Sequence, residues 1–202
     1  DIVFVVDDSG SMQEEQTNLA TNFPMFATLL SNYVTGDGQK IDYRVAVTTT
    51  GRDLNYSIDL GNGMTFPAPP EAGDNGAFKN NCSVGKRWLE PTDANMEQTL
   101  ACRANVGTSG PGTEMPLLMT KWALADRVMD GTNAGFLRDD ALLAIVMLTD
   151  EDDSSTVQDN FTIGATAQFP VDWHPDDQIA SLDALRGHRT RWAAAAIAGE
   201  TD

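Results

Sequence analysis

Five consecutive apolar residues, Ile2 to Val6, show none of the alternation of a strand with one wet face, so they predict a parallel strand covered on both sides. The run ends abruptly in Asp7-Asp8-Ser9-Gly10-Ser11. Beyond that loop Leu19, Phe23, Phe26, Leu29, Leu30 and Tyr33 recur at helical spacing and predict a helix packed on the sheet; Pro24 should kink or restart it, because proline has no amide hydrogen to donate. Tyr43 to Thr50 reads as a second strand. From Arg52 to Lys86 the chain is dense in Gly, Asn, Pro and Asp, with turn signals at Pro67-Ala68-Pro69-Pro70 and Asp74-Asn75-Gly76, so residues 52–112 read as an elaborated insertion with short hairpins. Asp93 is placed to cap a helix through Met96, Leu100 and Ala104, and Gly107 to Thr113 forms a tight loop. Pro116 opens a helix whose expected buried stripe is Leu118, Trp122, Ala125 and Met129.

Ala141 to Thr149 is a second continuous apolar strand, and it too delivers carboxylates at its end: Asp150, Glu151, Asp152 and Asp153. His174-Pro175 opens a helix containing Ile179, Leu182 and Leu185, and Trp192 to Ala198 reads as a last buried strand. Strands alternating with helices predict an α/β fold of three layers, Rossmann-like, with a mainly parallel central sheet.

The 202 residues fit a single domain, 1–202, and 41 % hydrophobic with 21 % charged residues is a globular composition. Asp and Glu number 30 against 13 Lys and Arg, a formal charge of −17, which repels phosphate backbones and anionic lipid and so argues against nucleic acid as a partner. The same carboxylates suit oxygen-ligated cations. No run of about 18 apolar residues occurs, which argues against direct membrane insertion. The chain opens directly on a strand-like run and stops at Glu200-Thr201-Asp202 just after another, the pattern of a domain excised from a longer precursor. Cys82 and Cys102 form no Cys-x-x-Cys pair and only two His accompany them, so zinc is disfavoured; a disulfide stapling the irregular insertion is preferred over two free thiols, and it implies a location outside the cytoplasm.

Ligands of open parallel sheets bind beyond the carboxyl ends of the strands. There Asp7, Ser9 and Ser11 offer a carboxylate and two hydroxyls in five residues, and Asp150 adds a carboxylate from another strand, a donor set suited to a hard divalent cation. The plainer alternative is that Ser9 and Ser11 cap the following helix. Phe4-Val5-Val6-Asp7-Asp8-Ser9-Gly10-Ser11-Met12 resembles the opening of a von Willebrand factor type A domain with its metal-ion-dependent adhesion site, Asp-x-Ser-x-Ser, and Val146-Met147-Leu148-Thr149-Asp150 is similar to the family's later strand ending in Thr-Asp. The resemblance, which extends in order over nearly the whole chain, implies a site for Mg²⁺, or Mn²⁺ or Ca²⁺, on top of the sheet. It further implies that Asp7, Ser9 and Ser11 bind directly and Asp150 directly or through water. The Asp-Asp-Ser-Gly-Ser-Met opening and Thr-Asp-Glu-Asp-Asp also resemble bacterial secreted or surface-lipoprotein members.

The chain departs from the family in the middle loop, where a threonine is usual: counting back from Ala123-Leu124 puts Glu114 or Thr113 at the ligand position, with Thr108 a further alternative. A glutamate there adds negative charge and makes the site less receptive to an acidic partner. Glu151, Asp152 and Asp153 read as a solvated acidic turn or a second cation site, Glu14 and Glu15 as helix-dipole partners, and His174 and His188 as loop residues without a catalytic part. The expected function is a non-enzymatic, cation-dependent adhesion module that captures a protein or glycan offering a carboxylate or other oxygen. A metal-dependent hydrolase and a domain using metal only for stability are the alternatives; no phosphate loop, nucleophile elbow or His base supports the first.

Overall fold

The computed structural model describes residues 1–164 and 169–198, so Glu200-Thr201-Asp202 lie outside the described residues. Among those described, the central sheet has the order β2-β1-β5-β7, from β2 (Val45–Thr49), β1 (Ile2–Val6), β5 (Leu143–Thr149) and β7 (Trp192–Ala198), and each neighbouring pair is parallel. The chain is a mixed α/β fold with helices on both faces of a parallel sheet. Strand β1 shows why its sequence lacks alternation. Val3 and Val5 point into one buried cluster with Leu118, Met119 and Leu124, while Phe4 and Val6 point into the other with Phe23, Ala27 and Leu100.

Helix α1 (Gln13–Asn32) and α2 (Met96–Ala104) cover the second face; α3 (Pro116–Lys121) and α5 (Pro175–Arg186) cover the first. Helix α1 is continuous through Pro24, neither ended nor restarted there. Both Pro24 and Ala20, whose carbonyl loses its donor, lie on the exposed side, so the carbonyl is open to solvent rather than stranded in the core. The buried line is narrower than its apolar positions suggest: Phe23 and Ala27 are buried, whereas Phe26, Leu29 and Tyr33 lie on the exposed side.

Three local expectations are corrected. Asp93 does not cap α2; its Oδ2 instead accepts from the Glu90 amide and pairs with Lys86, and Asn95 precedes the helix in the left-handed region. Met129 is 85 % exposed because α3 passes through a π-turn at Trp122–Asp126 before the short α4 (Arg127–Met129). There the Arg127 amide reaches five residues back to Trp122, and the extra residue rotates later positions off the core-facing line. Strand β7 forms, but among the described residues it is an edge of the sheet, with Ala193 to Ala198 exposed rather than buried.

The insertion holds a hairpin, β3 (Tyr56–Asp59) with β4 (Thr65–Pro67), and β6 (Phe161–Gly164), which sequence did not suggest, joins β3 in parallel to complete a second sheet. Cys82 and Cys102 form a disulfide that fastens the insertion to α2. Beside it the buried Arg103 guanidinium donates to the carbonyls of Asn81, Val84 and Lys86, holding the same loop without covalent help.

Candidate metal centre

From β1 the chain crosses to β2 on one side, while β5 lies on the other, so the order of the sheet reverses between β1 and β5, and open parallel sheets bind ligands beyond the carboxyl ends of the strands at such a point. The register aligns Val6 with both Thr49 and Leu148, and the Asp7 amide donates to the Leu148 carbonyl at 2.9 Å. Asp7 is therefore delivered directly beside Thr149 and Asp150.

Asp7 is fully buried. Its Oδ1 accepts from the Ser9 amide at 2.8 Å, its Oδ2 from the Thr149 hydroxyl at 2.7 Å, and its carbonyl from the Gln16 side-chain amide at 2.9 Å. The Ser9 and Ser11 hydroxyls are 2.9 Å apart, and Ser11 donates onward to Asp150 Oδ1 at 3.2 Å. Neither serine hydroxyl caps α1, whose start carries no side-chain cap. Asp7, Ser9, Ser11 and Asp150 thus form one connected group of oxygens.

The three readings of the middle position separate. The Thr113 hydroxyl donates to Glu71 Oε1 at 2.8 Å, within the insertion. Glu114 is 2 % exposed and has a buried Oε1 with no partner. Burial, reinforced by the charges of Asp7 and Glu151, pushes its carboxyl up to about 8. Thr108 is half-buried in the same loop, and no side-chain hydrogen bond joins it to the group among the described residues.

A buried carboxylate oxygen without a partner is costly unless a proton or cation serves it. The oxygens gathered here, carboxylates with hydroxyls, are those a hard divalent cation takes, so the residues fit one. Among the described residues no three His, Cys, Asp or Glu side chains converge tightly enough to hold a metal by themselves, so the serine hydroxyls are needed to complete any shell. The second acidic turn does not form a separate cation site. Asp153 Oδ1 accepts from the Leu117 amide and the Ser155 hydroxyl, and Ser155 accepts from the Leu118 amide, so this turn caps α3. His174 precedes α5, its amide bonded to Asp177, and His188 contacts Thr190; both lie outside the group.

Three supporting residues escaped the sequence reading. Gln16 carried a signal, being a polar residue in line with Met12, Phe23 and Ala27 on the buried side of α1. Thr149 carried a weaker one. Gly110 carried none: its amide donates to the Asp8 carbonyl at 2.7 Å, and a Cβ there would lie 2.2 Å from Asp8 Cγ. That contact docks the Gly107–Thr113 loop onto the Asp7–Ser11 loop and buries Asp8, whose carboxyl is pushed up to about 6 chiefly by burial, against the pull of Lys79.

No protein-family model matches the chain, and no curated protein does. Among solved structures, the pilus adhesin RrgA from Streptococcus pneumoniae is similar over 76 % of this chain and 20 % of its own, at 14 % identity and TM-score 0.32. The adhesive tip pilin GBS104 from Group B Streptococcus agalactiae is similar over 76 % of this chain and 45 % of its own, at 15 % identity and TM-score 0.33. The chain therefore spans less than half the length of either, and at those scores the likeness assigns neither a family nor an activity.

Proposed function

We propose that the protein is a von Willebrand factor type A-like module that binds one divalent cation, Mg²⁺ or else Mn²⁺ or Ca²⁺, at the carboxyl ends of β1 and β5 and captures a protein or glycan through it. The observation that carries this reading is the buried, unpartnered Oε1 of Glu114, whose carboxyl feels the charge of Asp7, together with the linked hydroxyls of Ser9 and Ser11 in the loop that Asp7 opens. Asp7, Ser9, Ser11 and Glu114 would hold the cation, with Asp150 taking part directly or through water. When bound, the cation supplies an electrophilic centre with room for an oxygen from outside the chain. The chain's part is to hold those oxygens in place: Thr149 and the Ser9 amide fix the Asp7 carboxylate, and Gly110 pins the loop that carries it. The site acts in binding rather than turnover, and the disulfide supports a location in an oxidising compartment, secreted, periplasmic or at the cell surface.

Titration calorimetry on chelator-stripped protein tests the reading. One Mg²⁺ or Mn²⁺ event is expected, absent in Asp7→Ala while the circular dichroism spectrum is kept; unchanged binding in that variant would overturn the assignment.

A further inference from the structure

The loops of the candidate centre carry four carboxylates, Asp7, Glu114, Asp150 and Glu151, more negative charge than a single dication neutralises. Asp7 and Glu114 are buried, Asp150 is half-buried and receives the Ser11 hydroxyl, and Glu151 is exposed with its carboxylate within hydrogen-bonding reach of Glu114. Two backbone ties fix this arrangement. The Ser154 amide donates to the Glu114 carbonyl at 2.8 Å, and the Glu151 amide donates to the Thr149 hydroxyl at 3.2 Å, the same hydroxyl that serves Asp7. Among the described residues none of the four carboxylates pairs with a Lys or Arg; Lys79, on the Asp8 side, is spent on Asp74 at 2.6 Å.

Glu151 stands on the solvent side of this group, where a ligand would arrive. Its exposure, against the burial of Asp7 and Glu114, makes it a nearby charge on the rim rather than a further ligand. With Glu114 inside and Glu151 outside, the loaded centre keeps net negative charge. We propose that Glu151, acting with Glu114, selects the ligand by charge: the site turns away carboxylates and takes a neutral oxygen donor, an amide carbonyl or a hydroxyl. The selection is electrostatic, because like charges at a partly dry site cost far more than in water, while a neutral dipole meets no such barrier. This rests on the reading of the centre as a cation site and goes beyond it, since the cation alone would favour an acidic ligand.

The test uses the protein loaded with Mn²⁺, whose effect on water proton relaxation reports the water it still carries. Acetate and its neutral isostere acetamide are titrated separately, with methyl mannoside in a third arm to separate a hydroxyl source from an amide source. In the unmodified protein acetamide or methyl mannoside should displace water at lower concentration than acetate. In Glu151→Gln the apparent acetate affinity should rise roughly tenfold with metal affinity little changed, and in Glu114→Thr/Glu151→Gln acetate should become the better ligand. Acetate outcompeting acetamide in the unmodified protein, or unaltered by Glu151→Gln, would overturn the selection while leaving the cation site standing. Free-ion relaxation at every Mn²⁺ concentration would instead overturn the cation site, and the selection with it.

Discussion

The Thr149 hydroxyl donates to Asp7 Oδ2 across 2.7 Å, joining the ends of two neighbouring strands that lie 142 residues apart in sequence. The bond gives a fully buried carboxyl group a neutral donor. Thr149→Val keeps the shape and removes the donor. Its expected cost is about 1–3 kcal/mol in urea unfolding of the metal-free protein, the usual penalty for stranding a buried acceptor. Mg²⁺ should recover part of that loss if Asp7 is a ligand, and a variant as stable as the parent would show that the bond does not hold Asp7.

Glu114 makes the metal-free protein sensitive to pH in a defined direction. Its carboxyl is raised from an ordinary 4.5 to about 8, first by burial and then by Asp7 and Glu151, so the folded state holds a proton that the unfolded state has already lost. Stability should therefore fall as pH rises through that window and level off above it. Asp8, raised from 3.8 to about 6, adds a loss of the same sign over a lower range. Denaturant midpoints measured in chelator should decline from pH 5 to pH 8, and Glu114→Gln should flatten the part above about pH 6. A midpoint that climbs across this range would contradict the burial of Glu114.

Gly110→Ala places a methyl group against the Asp8 carboxylate, where its Cβ would be 2.2 Å from Cγ and 2.3 Å from Oδ1. The short, buried Asp8 side chain has little room to yield, so the two loops must part. A destabilisation of about 1–3 kcal/mol is expected, the range for overpacking, together with weaker Mg²⁺ binding, because the displaced loop carries Asp7 and Ser9. Alanine at Gly112, where nothing lies within 4 Å of the added carbon, is the control and should change neither quantity.

Removing the Cys82–Cys102 disulfide, which closes a separation of 20 residues, should lower stability by about 3 kcal/mol on the chain-entropy estimate. Cation binding should survive in Cys82→Ala/Cys102→Ala, because Arg103 still holds the carbonyls of Asn81, Val84 and Lys86 and the bridge ties the insertion to α2 rather than to a strand end. Loss of Mg²⁺ binding in that variant would mean the insertion positions the centre more directly than its hydrogen bonds indicate.

What was legible in the chain was what depends on short range. Strand β1 reads as covered on both faces because all five of its residues are apolar, and the carboxylates after β1 and β5 read as strand-end groups because the apolar runs stop at them. What depends on distant partners was not. Phe161–Gly164 is too short to announce itself, and it becomes a strand only because Tyr56–Asp59, about a hundred residues earlier, offers it an edge. The π-turn at Trp122–Asp126 keeps a helical composition while shifting the register, so Met129 reads as core and lies in solvent. Likewise the apolar surface of α1 is broader than the sheet beneath it, which leaves Leu29 and Tyr33 uncovered.

The proposed middle ligand is left open in the sequence among Glu114, Thr113 and Thr108, and the structure gives the two adjacent candidates different surroundings. Thr113 gives its hydroxyl to Glu71 in the insertion, whereas Glu114 keeps a buried oxygen without a partner and feels the charge of Asp7. If the cation is held where these oxygens gather, Thr113→Ala should leave Mg²⁺ affinity nearly unchanged, at the cost of one partly buried hydrogen bond, about 1 kcal/mol. Glu114→Thr should weaken cation binding by at least about tenfold, since even residues outside a metal's own shell cost that much when removed. The same substitution relieves a buried carboxylate, so the metal-free protein should gain stability near neutral pH as it loses affinity. Calorimetry and unfolding on one pair of variants separate the possibilities. Loss of binding in Thr113→Ala with a silent Glu114→Thr would place the threonine at the cation and make Glu114 a buried acid with no ligand role.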